Sequence, residues 1–294
     1  MLFMKSIFGP RAQSHRPSGD RGHRAYVVGD IHGRLDLLDR LLDKIDTDLK
    51  MRPARKTLLA FVGDLIDRGP NSAQVVDRLR NYEHPGVQTI FLLGNHEEVL
   101  LRILSGEAEL ITKWRWFGGA ECLASYGVDA STLTGLSEEE ALAIVREAIP
   151  KEHLEFLESF DDSCRFGDYL FVHAGIRPGV EFDQQRQSDL RWIREPFLFD
   201  DTDHGFVVVH GHTIRPEVEM RPNRIGIDTG VAPNICPTYS SNSRCAFTPP
   251  KPNPLTAARR GAVGLRGRHS SGFVSTRNGP APYSTRGTGT SECV

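Results

Sequence analysis

Along the first hundred residues the apolar positions fall into a repeating order: a short continuous run, a glycine, then apolar residues three and four apart. Residues 25–28 run into Gly29, and Leu35, Leu38, Leu41, Leu42, Ile45 and Leu49 follow at helical spacing. Residues 58–62 meet Gly63 ahead of Val75, Val76 and Leu79, and residues 87–93 meet Gly94 ahead of Val99, Leu100, Ile103 and Leu104. Three strand–loop–helix units predict parallel strands joined by right-handed crossovers, with ligands gathering at the carboxyl ends of the strands. Residues 105–162 turn helical and more polar, with Trp114, Trp116 and Phe117 near the start and a capping-box pattern from Ser137 to Glu140, and so predict an inserted helical cap. Strand-like runs then return: 169–172 ending at His173, 206–209 ending at His210 and His212, and 218–220 turning through 221–224 into 225–228. These short spacings predict a second, mainly antiparallel sheet.

Composition adds a boundary. The 294 residues carry 36 basic and 38 acidic side chains, a formal charge of -2, so no global field draws the chain to nucleic acid or anionic lipid. No apolar stretch is long enough to span a membrane and the N-terminus lacks a signal-peptide core, so a cytoplasmic protein is expected. Five cysteines without CxxC spacing suggest neither a disulfide framework nor a zinc knuckle. The near-neutral total hides a split, because residues 231–294 hold eight basic residues and one acidic one, Glu292. Thirty of those 64 residues are Pro, Gly, Ser or Thr and only nine are Leu, Ile, Val or Phe, too few to offset the ordering entropy of the segment. The expected organisation is a flexible arm over 1–23, a catalytic domain over 24–230 with the cap at about 105–162, and a low-complexity tail over 231–294. The tail is expected to be disordered, as a natural extension or as the product of a reading-frame change that leaves a sheet edge unpaired.

The candidate chemistry sits at the strand ends. Gly29-Asp30-Ile31-His32-Gly33, Gly63-Asp64-Leu65-Ile66-Asp67-Arg68-Gly69 and Gly94-Asn95-His96-Glu97 each set metal-ligand side chains beside a glycine that permits a sharp turn. Two further strand ends supply His173-Ala174-Gly175 and His210-Gly211-His212. Any one of these alone reads as a turn with a helix cap or as a hydrogen-bonded histidine. Five in order are hard to assign to chance. Carboxylate and carboxamide oxygens mixed with imidazole nitrogens suit Mn, Fe, Zn or Co better than Ca or a thiolate-seeking metal.

The blocks GDIHG, GDLIDRG, GNHE, HAG and GHT, in this order between about Arg24 and Gly230, resemble the signature of the PPP family of metal-dependent serine/threonine phosphoprotein phosphatases, in its bacterial and phage branch. The resemblance implies an α/β fold, a central β-sandwich of the metallophosphoesterase type flanked by helices, and two divalent metal ions, manganese by preference with iron or zinc as alternatives. It implies Asp30, His32 and Asp64 on one metal and Asp64, Asn95, His173 and His212 on the other, with Asp64 bridging. His96 would be the general acid, oriented by Asp67, and water held by the metals the nucleophile. Arg68 would bind phosphate. Arg194 resembles the second phosphate-binding arginine, with Arg191 as competitor, and His210 is expected to support the site without binding metal. Leu93 stands where many members have arginine, so substrate contacts do not transfer.

The expected function is dephosphorylation of phosphoserine or phosphothreonine in a phosphoprotein or phosphopeptide. The alternative is a symmetrical bis(5'-nucleosyl)-tetraphosphatase, against which Glu97 counts weakly, because the resembling hydrolases tend to carry Asp there. The readings of a second class are an inactive scaffold and a basic-tail binding protein. The retained ligand types, His96 and Arg68 oppose the scaffold. With only Tyr239, Phe247, Phe273 and Tyr283 as aromatics, the tail gives little support to nucleic-acid binding. Physiological substrate, metal identity and oligomeric state stay open, and the cap is expected to shape substrate choice.

Overall fold

The three predicted strand–helix units form one sheet. In a computed structural model, which describes residues 17–230 together with the backbone of 246–247 and 275–276, β1 (His23–Val28), β2 (Lys56–Phe61) and β3 (Val87–Phe91) pair in parallel. They alternate with α1 (Leu35–Met51), α2 (Ser72–Arg80) and α3 (Asn95–Ser105). The cap follows as α4 (Leu110–Trp114), a π-helical turn (Arg115–Gly119), α5 (Ala120–Ser125), α6 (Glu138–Ala148) and α7 (Lys151–Glu158). At α6 the capping box is formed: Glu140 N–H donates to Ser137 Oγ (3.2 Å) and Ser137 N–H to the Glu140 carboxylate (2.8 Å).

The second sheet contains β4 (Ser163–Phe166), β5 (Tyr169–Val172), β6 (Val207–His210), β7 (Glu219–Met220) and β8 (Arg224–Gly226), with the six-residue helix α8 (Gln187–Trp192) between β5 and β6. Its pairing is mixed where a mainly antiparallel sheet was expected. The pairs β4–β5 and β7–β8 are antiparallel, but β5–β6 and β6–β8 are parallel. Long connections over 173–206 and 211–223 supply the crossovers that parallel neighbours need, and the loops at their starts carry His173 and His212. β4 falls between the expected end of the cap at about 162 and the first strand expected after it at 169–172.

Alternation along the strands sorts their side chains into layers. Ala25, Val27, Leu58, Ala60 and Ile90 face Phe171, Val207, Val209 and Ile225 across the interior, the core of a sandwich. The intervening Tyr26, Val28, Leu59 and Phe61 pack under the helices of the first sheet, while Leu170, Val172 and Val208 pack under Leu190, Ile193 and Phe197. Both sheets are therefore buried on both faces. Cys122 and Cys164 are buried free thiols. Among the described residues no helix is long and apolar enough to cross a membrane.

The expectation of a disordered tail lies outside the described residues, apart from β9 (Ala246–Phe247) and β10 (Ser275–Thr276). β9 pairs antiparallel with Val27 and Val28 of β1, and β10 with Ser163 and Cys164 of β4. An unpaired sheet edge was expected; the β1 edge is paired at those two residues. At the other end, Ser18 N–H donates to Asp168 Oδ2 (2.9 Å) just before β1 begins.

Candidate active site

Every non-glycine residue with a left-handed backbone among the described residues is a predicted site residue: His32 (φ 45), Asp64 (φ 53), Asp67 (φ 71), Arg68 (φ 65) and His212 (φ 62). Such conformations cost about 1–3 kcal/mol each and persist only where the surroundings over-determine them. Here the surroundings are other strand-end loops. Ile31 and His32 N–H both donate to Asp64 O (2.9 and 2.9 Å), and Gly33 N–H to Leu65 O (2.8 Å). The fully buried Glu97 carboxylate collects the N–H groups of Asp64 (2.8 Å), Leu65 (2.8 Å), Ile66 (3.2 Å) and Gly94 (3.1 Å). Burial, with Asp64 beside it, pushes the Glu97 carboxyl up to about 7 against those donors. Glu97 is thus a clamp on the Asp64 loop. Gly94 is required here because a Cβ would collide with the Asp64 backbone and carboxylate.

The residues expected to bind metal converge. His173 Nδ1–H donates to Val62 O (2.8 Å), so in the neutral ring Nε2 presents its lone pair to Asn95 Oδ1 (2.9 Å) and Asp64 Oδ1 (3.4 Å). His212 Nδ1 lies 2.8 Å from the same Asn95 oxygen. On the other side His32 Nδ1–H donates to Ile66 O (2.8 Å), leaving Nε2 toward Asp64 Oδ2 (3.7 Å) and Asp30 Oδ2 (3.9 Å). Burial holds these imidazoles neutral, taking His32 down to about 3 and His173 and His212 below the usual range. Asp30 is held in turn by His212 N–H (3.1 Å to Oδ1).

Lone pairs facing lone pairs, and buried carboxylates side by side, call for cations. Burial and the neighbouring Asp228 and Asp64 raise the Asp30 carboxyl well above the usual range. Asp228, 3% exposed, lies beside Asp30 and accepts Gly230 N–H (2.9 Å). Ligand-type atoms of Asp64, His173 and His212 lie within 4.8 Å of one another, as do those of His32, Asp64 and His96. The donor set fits two divalent ions with Asp64 shared between them. Asp228 was missed by sequence reading, which took it as the end of a strand.

His96 belongs to the second of those groups by distance but has other partners. Its Nδ1 sits 2.6 Å from Asp67 Oδ2, and its Nε2 3.1 Å from Arg68 Nη2. Burial lowers its pKa, yet the Asp64 and Asp67 carboxylates prevail and leave it raised. Arg68 also reaches His32 Nε2 through Nη1 (2.9 Å), so its guanidinium spans both rings. Trp114 donates its indole N–H to Asp67 Oδ2 (2.9 Å), a contact that apolar periodicity marks only as buried. Arg191 is tied to Asp162 (2.5 Å) and Glu98 (3.2 Å), whereas exposed Arg194 reaches only His212 O, at 3.4 Å. Arg194 is therefore the arginine with a guanidinium left for a ligand. His210 stacks edge-on against Phe197 (5.1 Å between centroids) and its Nδ1 lies 3.0 Å from Gly211 O, outside the ligand group.

A bis(5'-nucleosyl)-tetraphosphatase PrpE, asymmetrical, of Halalkalibacterium halodurans is 29% identical over 162 residues, covering 51% of this chain and only 56% of that protein. The protein of the same name from Anoxybacillus flavithermus is 26% identical, covering 69% of this chain and 84% of that one. Serine/threonine-protein phosphatase 1 of Salmonella typhimurium is 30% identical over 214 residues, 70% of this chain and 85% of that protein. A crystal structure provisionally assigned as a diadenosine tetraphosphatase superposes with a TM-score of 0.50 at 23% identity, over 72% of this chain and 86% of that one, and supports the fold alone. The pattern of the calcineurin-like phosphoesterases matches residues 23–240, which contain all of the converging side chains, and the chain belongs to that family of hydrolases.

Proposed function

We propose that the protein hydrolyses phosphomonoesters of serine or threonine in protein substrates. The observation that carries this reading is the Asp67–His96 pair, 2.6 Å apart and buried beside the ligand group. An alkoxide is a poor leaving group and needs a proton as the P–O bond breaks, whereas a nucleotide released from a phosphoanhydride does not. A buried imidazole braced by a carboxylate suits the first task.

The two divalent ions held by Asp30, His32, Asp64, Asn95, His173 and His212 would supply an acidified water nucleophile and neutralise phosphoryl charge. Manganese is our proposal for their identity, from the mixed oxygen and nitrogen donors. The chain's own residues do the rest. Arg68, joined by Arg194, offers the phosphoryl oxygens a planar set of donors. With Arg68 turned from His96 Nε2 to the phosphoryl oxygens, Nε2 takes up a proton; water oxygen bonds to phosphorus, the ester P–O bond breaks, and Nε2 gives that proton to the departing oxygen, releasing alcohol and inorganic phosphate. Asp67 holds the imidazole throughout. The Salmonella relative, named a serine/threonine-protein phosphatase, supports this substrate class.

The second reading is hydrolysis of a dinucleoside tetraphosphate, supported by the names of the PrpE relatives. Steady-state rates on a phosphothreonine peptide, a phosphotyrosine peptide and diadenosine tetraphosphate, each with Mn²⁺ and after chelation, separate the two. We expect the phosphothreonine peptide to lead and chelation to abolish turnover. A kcat/KM for diadenosine tetraphosphate more than about tenfold above the best peptide, a gap of about 1.4 kcal/mol, transfers the assignment to the second reading.

A further inference from the structure

Two hydrogen bonds tie the start of the cap to the loop that carries Asp67 and Arg68. Trp114, 2% exposed at the end of α4, donates its indole N–H to Asp67 Oδ2 (2.9 Å), the oxygen that also faces His96 Nδ1 (2.6 Å). Four residues on, Gly118 O accepts Arg68 N–H (3.0 Å). A Cβ at Gly118, where φ is 110°, would come within 2.6 Å of Arg68 Cγ, so the close approach needs glycine. Trp116 lies between these anchors and is 86% exposed, so the aromatic ring turned toward the catalytic loop is that of Trp114.

The contacts on Asp67 explain why a second donor matters. The terminal torsion of an aspartate is broad, and a single hydrogen bond to one oxygen leaves the carboxylate plane free to swing. Among the described residues no N–H or hydroxyl donates to Asp67 Oδ1, and only the buried Cys122 thiol, a weak donor, lies against the carboxylate besides the groups on Oδ2, so the strong orienting bonds are those to Oδ2. Asp67 N–H bonds to Ser72 Oγ (3.0 Å), which fixes its backbone but not its carboxylate. The indole N–H is rigid, planar and buried. It supplies the missing constraint.

We propose that Trp114 is a positioning residue for proton transfer: its N–H sets the Asp67 carboxylate, which in turn sets the His96 ring with Nε2 toward the leaving oxygen. This rests on the reading of His96 as general acid. The cap is then part of the machinery that holds the acid, in addition to any effect on substrate choice. A residue acting this way matters most where the leaving group most needs a proton.

The test compares kcat on a phosphothreonine peptide with kcat on p-nitrophenyl phosphate, whose leaving group departs without help. Trp114→Phe keeps a ring and deletes the donor. We expect the ratio of the two kcat values to fall about tenfold, a part of the 10²–10⁴ that a general acid supplies. Asp67→Asn should lower the ratio further, and Trp114→Phe should add nothing in the Asp67→Asn background. An unchanged ratio in Trp114→Phe with a lowered one in Asp67→Asn overturns the positioning role alone. An unchanged ratio in Asp67→Asn overturns the acid assignment, and the inference with it. Should Trp114→Phe fail to fold, hydrogen exchange decides. The Trp114 indole N–H should exchange far more slowly than that of Trp116 and should shift in Asp67→Asn, and exchange as fast as that of Trp116 overturns the proposal.

Discussion

The loop from Gly63 to Gly69 and the helix α6 sit in the same chain but are held in opposite ways. In the loop, Asp64, Asp67 and Arg68 are left-handed, and apart from the Asp67 N–H, which bonds to nearby Ser72, the polar atoms around them meet Glu97, His96, Trp114 and Gly118, each at least 28 residues away. In α6 the exposed first turn is satisfied by Ser137 and Glu140, three residues apart. A local sequence can specify α6 by itself. The loop exists only because distant parts of the fold impose it, and imposed geometry of this kind is what a catalytic centre requires.

The comparison predicts unequal consequences for small changes. The largest effect belongs to Asp64→Asn. As the shared ligand its loss should remove bound metal and activity together, whereas His96→Asn should keep metal near the wild-type content while turnover falls by about 10² to 10⁴. Metal analysis of the two purified variants decides it, and equal metal loss in both would undo the division of roles.

Glu97→Gln comes next. One carboxamide oxygen cannot accept from four N–H groups as a carboxylate does, and each buried donor left unpaired costs about 1–3 kcal/mol. Denaturant unfolding should show a loss in that range with weakened metal affinity. Unchanged stability would mean that the loop holds its shape without the clamp.

The smallest effect belongs to Ser137→Ala in α6. Removing this cap should cost about 1 kcal/mol of stability and leave kcat and KM alone. A changed kcat would show that α6 communicates with the site, contrary to the contrast drawn above.

The same contrast explains what could be read from the sequence. The first sheet was legible because a short continuous apolar run gives way to helical spacing at a glycine three times over, and the ligand set because each strand end pairs a glycine with an Asp, Asn or His. The order of the second sheet was not legible. Short strands between loops look alike whether they pair parallel or antiparallel, and only the crossovers over 173–206 and 211–223 decide. Trp114 lies 47 residues from Asp67, and helical spacing marks it as buried without saying what its N–H meets. Asp228 looked like the last residue of a strand, because its contact with Asp30 joins opposite ends of the domain. Glu97 was noticed for its identity, while its role as a clamp depends on backbone N–H groups that carry no sequence signal.

The central claim is that His96, braced by Asp67, delivers a proton to an ester leaving group. Its most direct test is the dependence of log kcat on leaving-group basicity across phosphomonoesters from nitrophenyl to alkyl, in the wild-type enzyme and in His96→Asn. A proton delivered during P–O cleavage makes the wild-type slope shallow, and its loss should leave alkyl esters far more impaired than nitrophenyl ones, so that the variant's slope steepens. Parallel lines, with every ester slowed by the same factor, would contradict the claim.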